Sequence, residues 1–179
     1  MKRRTLQKSL LLILLPLLVA AVSAAVYNLM HIQAPTISAE PAKVKFVEAA
    51  DSAVAGVSIG TNGTYVSIDS MAGWPGATRV YEAVVGIKNF DTADRTINLA
   101  FNSWSGSTSN IDYIYVKIVD ANGVQQGSTI TVGAVGSSSG PLSIPAGATW
   151  YLRWEIKWKA GALSTDVVSV TLLLTVAGE

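Results

Sequence analysis

Residues Trp150-Tyr151-Leu152-Arg153-Trp154-Glu155-Ile156-Lys157-Trp158-Lys159 alternate apolar and polar side chains at nearly every step. Trp150, Leu152, Trp154, Ile156 and Trp158 fall on one side, and Tyr151, Arg153, Glu155, Lys157 and Lys159 on the other. Successive side chains of a strand point to opposite faces, so this run specifies a β-strand with one buried and one wet face. A face carrying three indoles must be covered by another apolar layer. The same period recurs along much of the chain.

Asp166 to Val176 is the second strong strand. Val168, Val170, Leu172, Leu174 and Val176 form one apolar row, while Val167, Ser169, Thr171, Leu173 and Thr175 form a mixed one. A strand apolar on both faces is either central in its sheet or covered by another molecule. Further strands are expected at Val44–Val47, Thr64–Ile68, Val80–Asn89, Thr96–Phe101, Ile111–Asp120 and Thr129–Val132. Gly86 is a candidate bulge. Asn122-Gly123 marks a tight hairpin, Gly133 to Gly140 reads as a Gly/Ser-rich loop, and Pro145-Ala146-Gly147 as a turn. No amphipathic helix interrupts this pattern. About eight short strands separated by turn residues indicate an all-β fold, a two-sheet antiparallel sandwich of jelly-roll type, over residues 42–179.

The first 24 residues read differently. Lys2, Arg3, Arg4 and Lys8 precede an apolar run from Leu10 to Val22, and Val22-Ser23-Ala24 supplies small residues for a peptidase. These are the three parts of a secretory signal peptide, with cleavage expected after Ala24 or Ala25. The alternative is an uncleaved signal anchor, because the apolar run can be extended through Tyr27 towards a bilayer-spanning length. Pro16 and the small-residue cluster favour cleavage. The expected location is therefore secreted, extracellular or at the cell surface, with membrane contact only during export.

Composition removes several functions. The 179-residue chain is 50% hydrophobic and 14% charged, with no Cys and one His. Disulfides, thiol chemistry and zinc fingers are excluded. Loss of the four basic residues of the signal leaves nine basic against twelve acidic, a net charge of −3. Nucleic-acid binding then has no electrostatic footprint. His31, the one imidazole, lies just after the cleavage point, away from any orienting scaffold. Asp51, Asp69, Asp91, Asp94, Asp112 and Asp120 are scattered near turns, as turn chemistry favours. No calcium-loop spacing supports Asp91 and Asp94 as ligands. We expect no catalytic residues, no metal and no cofactor.

Three binding features remain. Trp150, Trp154 and Trp158 read as core, whereas Trp74 and Trp104 fall in expected loops and are candidate surface contacts for a sugar or a partner. Asn62-Gly63-Thr64 is an N-glycosylation pattern in a turn. Between signal and sandwich, residues 25–41 form an arm. Val26, Met30, Ile32 and Ala34 occupy strand-compatible alternate positions, Tyr27 and Leu29 begin the opposite row, and Pro35 and Pro41 set the arm apart from the domain. Its first ten residues extend to ~30 Å. The arm can fold back as the first strand of its own sandwich, or enter a groove of the next subunit as a donor strand. The second contact is heterologous, and its repetition builds an open filament.

The order of these features resembles the archaeal bundling-pilus subunits and, more distantly, the camelysin/TasA-type biofilm matrix fibre proteins. The matching pieces are the signal and arm, then Lys43-Val44-Lys45-Phe46, Val84-Val85-Gly86-Ile87-Lys88-Asn89-Phe90-Asp91, Asn110-Ile111-Asp112-Tyr113-Ile114-Tyr115-Val116 and Leu142-Ser143-Ile144-Pro145-Ala146-Gly147-Ala148-Thr149-Trp150. The resemblance implies a jelly-roll subunit of an extracellular fibre, joined head-to-tail to identical subunits by donor strands and bundling laterally. Val26, Tyr27, Leu29, Met30, Ile32 and Ala34 are then the donor-strand residues. Ser103, Ser105, Ser107, Thr108, Ser109 and the Ser137-Ser138-Ser139 loop are candidates for contacts between filaments. The alternative is a monomeric secreted or surface-anchored adhesin or carbohydrate-binding module.

Overall fold

The structure, a computed structural model, describes residues Glu40 to Gly178. The signal expected at residues 1–24 and all but the last two residues of the arm expected at 25–41 lie outside it. Within it, the chain forms β1 (Val44–Glu48), a single helical turn α1 (Ser52–Ala55), β2 (Val57–Ile59), β3 (Val66–Ile68), β4 (Thr78–Asn89) and β5 (Arg95–Gly106). A 3-10 turn at Thr108–Asn110 leads into β6 (Ile111–Val119), β7 (Gln125–Thr131), β8 (Leu142–Ile144), β9 (Thr149–Trp158) and β10 (Val168–Val176).

The strands assemble as a five-stranded sheet in the order β1-β4-β9-β6-β7, a three-stranded sheet β10-β5-β8, and the hairpin β2-β3. Every strand pairing is antiparallel. The chain passes from one sheet to the other between β4 and β5, back at β6, over again between β7 and β8, and then at each step from β8 to β9 to β10. That repeated crossing is the wrapping of a jelly roll-like sandwich, as the period-two pattern implied.

β9 lies near the middle of the larger sheet, between β4 and β6. Trp150, Leu152, Trp154 and Ile156 are buried in the core, facing Ile97, Leu99 and Ile144 of the smaller sheet within one apolar cluster. Its outer face carries charge: Lys117 donates to Glu155 at 2.7 Å, Lys157 pairs with Asp112 at 2.8 Å, and Arg153 sits 3.2 Å from Glu82. One side chain per position, alternately buried and wet, accounts for the strand.

Turn residues act as their chemistry dictates. Asp120 accepts hydrogen bonds from the backbone N–H of Asn122 and Val124, and Gly123 takes a φ of 78°, closing the β6–β7 hairpin. Two local expectations are corrected. Gly86 is not bulged: it pairs in register with Val47 and Tyr151, and a Cβ there would come within 2.7 Å of the Val47 side chain. Its small size permits close packing between β1 and β9. The irregularity in β4 lies between Tyr81 and Val85 instead. There Asp51 accepts from Ala83 N–H and Ser52 donates to the Val84 carbonyl, so α1 holds the bulge in place.

Candidate assembly surface

The two long seams between the sheets differ. Along one, the Gly/Ser segment expected to be a loop lies between β7 and β5 and bonds to both. Ser128 N–H donates to the Ser139 carbonyl (2.9 Å) and Thr131 N–H to Ser137 Oγ (2.8 Å). On the other side, Ser139 N–H donates to the Leu99 carbonyl (2.8 Å), Phe101 N–H to the Ser137 carbonyl (2.9 Å) and Leu99 N–H to Ser139 Oγ (3.0 Å). Ser139 is buried, which small size and complete hydrogen bonding allow. A Cβ on Gly127 would lie 2.4 Å from the Ser139 carbonyl, so the strand opposite must be bare there. Ser137 and Ser139 are therefore spent internally, not presented as a bundling surface. Ser103, Ser105 and Ser109 are exposed.

No such ladder closes the other seam among the described residues. β10 pairs with β5 from Val168↔Gly106 to Val176↔Ile97, and β5 is its sole partner there. Among the described residues the strand is therefore at a sheet edge, with the apolar members of its mixed second row exposed. Leu173 is 52% and the preceding Val167 66% exposed. Its inward row, Val168, Val170, Leu172, Leu174 and Val176, is only partly buried although it packs on the core. Strand spacing explains this. Three strands span ~10 Å across and five span ~19 Å, so the smaller sheet cannot cover the larger one.

Part of the shortfall is filled by β2-β3 and the segment that follows. Val57, Ile59, Val66, Ile68 and Met71 pack against the core, Ala72 exchanges two hydrogen bonds with the Tyr81 hydroxyl, and Gly76 N–H donates to the Trp158 carbonyl. The outer edge of β1 is crossed by the β2-β3 turn, where Phe46 N–H donates to the Gly63 carbonyl at 2.7 Å. The buried indole N–H of Trp154 has no acceptor among the described residues.

The remaining sequence candidates are dispersed. Val26, Tyr27, Leu29, Met30, Ile32, Ala34 and His31 fall outside the described residues. Asn62 is exposed in the β2-β3 turn. Trp74 is 57% exposed beside Arg79, whose guanidinium lies 5.1 Å from the Trp74 ring centroid and 4.6 Å from that of Tyr81. Trp104 is corrected: it stands within β5, edge-on to Phe101 and partly buried against the core, not in a loop. β5 continues past the expected end at Phe101 because the register shift opposite Thr171 and Leu172 breaks the alternation while pairing resumes at Ser103.

The carboxylates serve turns and ion pairs. Asp91 pairs with Arg95, which holds its carboxyl below the usual aspartate range, and Thr92 N–H adds to the effect. Asp166 is lowered by Leu163 N–H and then by the Asn110 carboxamide. Lys157 is raised by its bond to Asp112. No group of three or more His, Asp or Glu able to hold a metal occurs among the described residues. No helix among them is long and apolar enough to cross a membrane. Comparison with protein-family models and with curated proteins found no match for the chain.

Proposed function

We propose that this protein is a secreted, non-enzymatic structural subunit that polymerises into extracellular filaments, its arm from Val26 to Ala34 docking as a donor strand along β10 of the next subunit. The observation that carries the reading is the β10 edge, long, with one apolar row that is only partly buried and Leu173 exposed on the other, beside a smaller sheet too narrow to cover its partner. The lengths agree. β10 has nine residues, as does Val26 to Ala34, so one can pair with the other over its full extent. Main-chain hydrogen bonds supply affinity in such an augmentation, and alternate side chains supply register. Burial of four apolar arm residues contributes roughly 6–12 kcal/mol before ordering costs. Pairing also removes an edge that would otherwise invite aggregation. The resemblance to bundling-pilus and matrix-fibre subunits supports the same assignment.

Electron microscopy of the mature protein with and without Val26 to Ala34 tests the mechanism. The full mature chain is expected to form filaments and the truncated one to remain monomeric. Filaments that persist without the arm defeat the donor-strand reading. A second measurement is the thermal midpoint of the truncated protein with a synthetic Val26–Ala34 peptide, which is expected to rise with peptide concentration because the peptide binds only the folded state.

One observation favours a second reading, a surface adhesin that binds carbohydrate. Trp74 presents an exposed ring next to a cation. Retention of the protein on a glycan column, lost on Trp74→Ala, is the result that would support it.

A further inference from the structure

We propose that Asn62 is the acceptor of an N-linked oligosaccharide and that the glycan screens the β1 edge of the larger sheet, so that strand addition is confined to β10. The inference rests on the export reading above, since the transferase acts on exported chains. Four observations converge on this side chain. Asn62-Gly63-Thr64 is an acceptor triplet with a non-proline middle residue. Both Asn62 and Thr64 are exposed. The amide lies in a tight turn, where Gly63 adopts a φ of 69° and donates to the Gly60 carbonyl at 2.8 Å. No hydrogen bond within the described unit engages the Asn62 side chain, so its amide is available.

The turn's position gives the modification a consequence. Gly63 lies against β1: its carbonyl accepts from Phe46 N–H, and a Cβ on it would sit 2.9 Å from that of Lys45. A substituent on the adjacent Asn62 is thus rooted one residue from the backbone contact with β1, the edge strand of the five-stranded sheet. An N-linked glycan is bulky and strongly hydrated. Beside an edge strand it acts as charged residues, prolines and bulges do elsewhere, denying a second chain the approach needed for pairing. β10 carries no such triplet.

The chemistry is a group transfer from a polyisoprenyl-linked oligosaccharide pyrophosphate or phosphate. The Asn62 amide nitrogen bonds to the anomeric carbon, the carbon–oxygen bond to the phosphate breaks, and the lipid phosphate leaves with the electron pair. The amide proton passes to a base of the transferase. No oxidation or reduction is involved.

Peptide mapping by mass spectrometry of the protein secreted from its native host is the test, since the same spectra report the N-terminus. The peptide spanning Asn62 is expected to carry a hexose-containing increment, lost in both Asn62→Gln and Thr64→Ala and retained in Thr64→Ser. Unmodified Asn62 on a chain with a cleaved N-terminus overturns the proposal while leaving export intact. Unmodified Asn62 on a chain that keeps Met1 overturns the proposal together with the cleaved-signal reading. For the screening role, the Asn62→Gln protein is expected to sediment as side-by-side aggregates at least several-fold more than the glycosylated protein, with the same truncation dependence on the arm. Equal sedimentation of the two overturns that role.

Discussion

At the end of β4, the carboxamide of Asn89 is fully buried and bonds to two chain segments, one just after the strand and one at the end of β8. It donates to the carbonyls of Ala93 (2.9 Å), Ile144 (3.1 Å) and Pro145 (3.2 Å), and its oxygen accepts from Asp91 N–H. Asn89→Ala strands these groups away from water and is expected to cost about 2–3 kcal/mol, read as a lower urea midpoint at unchanged slope. The strand ending in Asn89 was legible in the sequence; this role was not, because two of its partners lie more than fifty residues downstream. Ser139 was hidden for the same reason, inside what composition marks as a flexible loop. Burial of Trp154 followed from alternation, whereas its lack of an acceptor among the described residues depends on what the opposite sheet happens to offer. The ionisable residues predict a simple pH profile. Asp91 and Asp166 are held below their ordinary values in the fold, so the stability they contribute is full above the ordinary aspartate value and drains away as pH falls through the lowered ones. Lys157 is raised, so its contribution is full below the ordinary lysine value and is lost as pH climbs through the raised one. Thermal midpoints measured across pH should be flat near neutrality and decline modestly at both extremes, since all three groups are only partly buried and solvent screens them.

Among the elements, β9 was the most legible because each of its side chains obeys one rule. β10 was recognisable as a strand, yet its place at an edge required the pairing of distant residues, which periodicity does not encode. β5 was cut short in the reading because the irregularity near Asn102 shifts the alternation by one, turning Trp104 inward when pattern alone placed it in a loop. β2 and β8 have three residues each, too few for a period to register. Leu173→Lys adds a charge to the exposed row of β10 without touching the core. It is expected to leave the monomer's unfolding midpoint within about 0.5 kcal/mol of wild type while suppressing filament formation in the electron microscope, as edge lysines do. Ser139→Ala acts on the opposite side of the sandwich. Loss of a buried hydroxyl that serves Leu99 N–H should destabilise the monomer by roughly 1–2 kcal/mol with no direct effect on β10.

For the unit from Glu40 to Gly178, sandwich architecture followed from strand count, turn chemistry and the absence of helical periodicity. What the pattern could not supply was the unequal width of the sheets, since that depends on which strands choose which layer. The unequal seams have a dynamic counterpart. Backbone bonds from Ser137 to Ser139 bind the two layers along one margin, as a spine holds covers, while the fore-edge by β10 relies on side-chain contact alone. Breathing of the isolated subunit should therefore be hinged, and deuterium should reach the amides of β10 well before those of β5 and β7 beside the spine. In that motion the margin that swings wide is the one meant to receive a visitor, and entry asks for no melting of the rest.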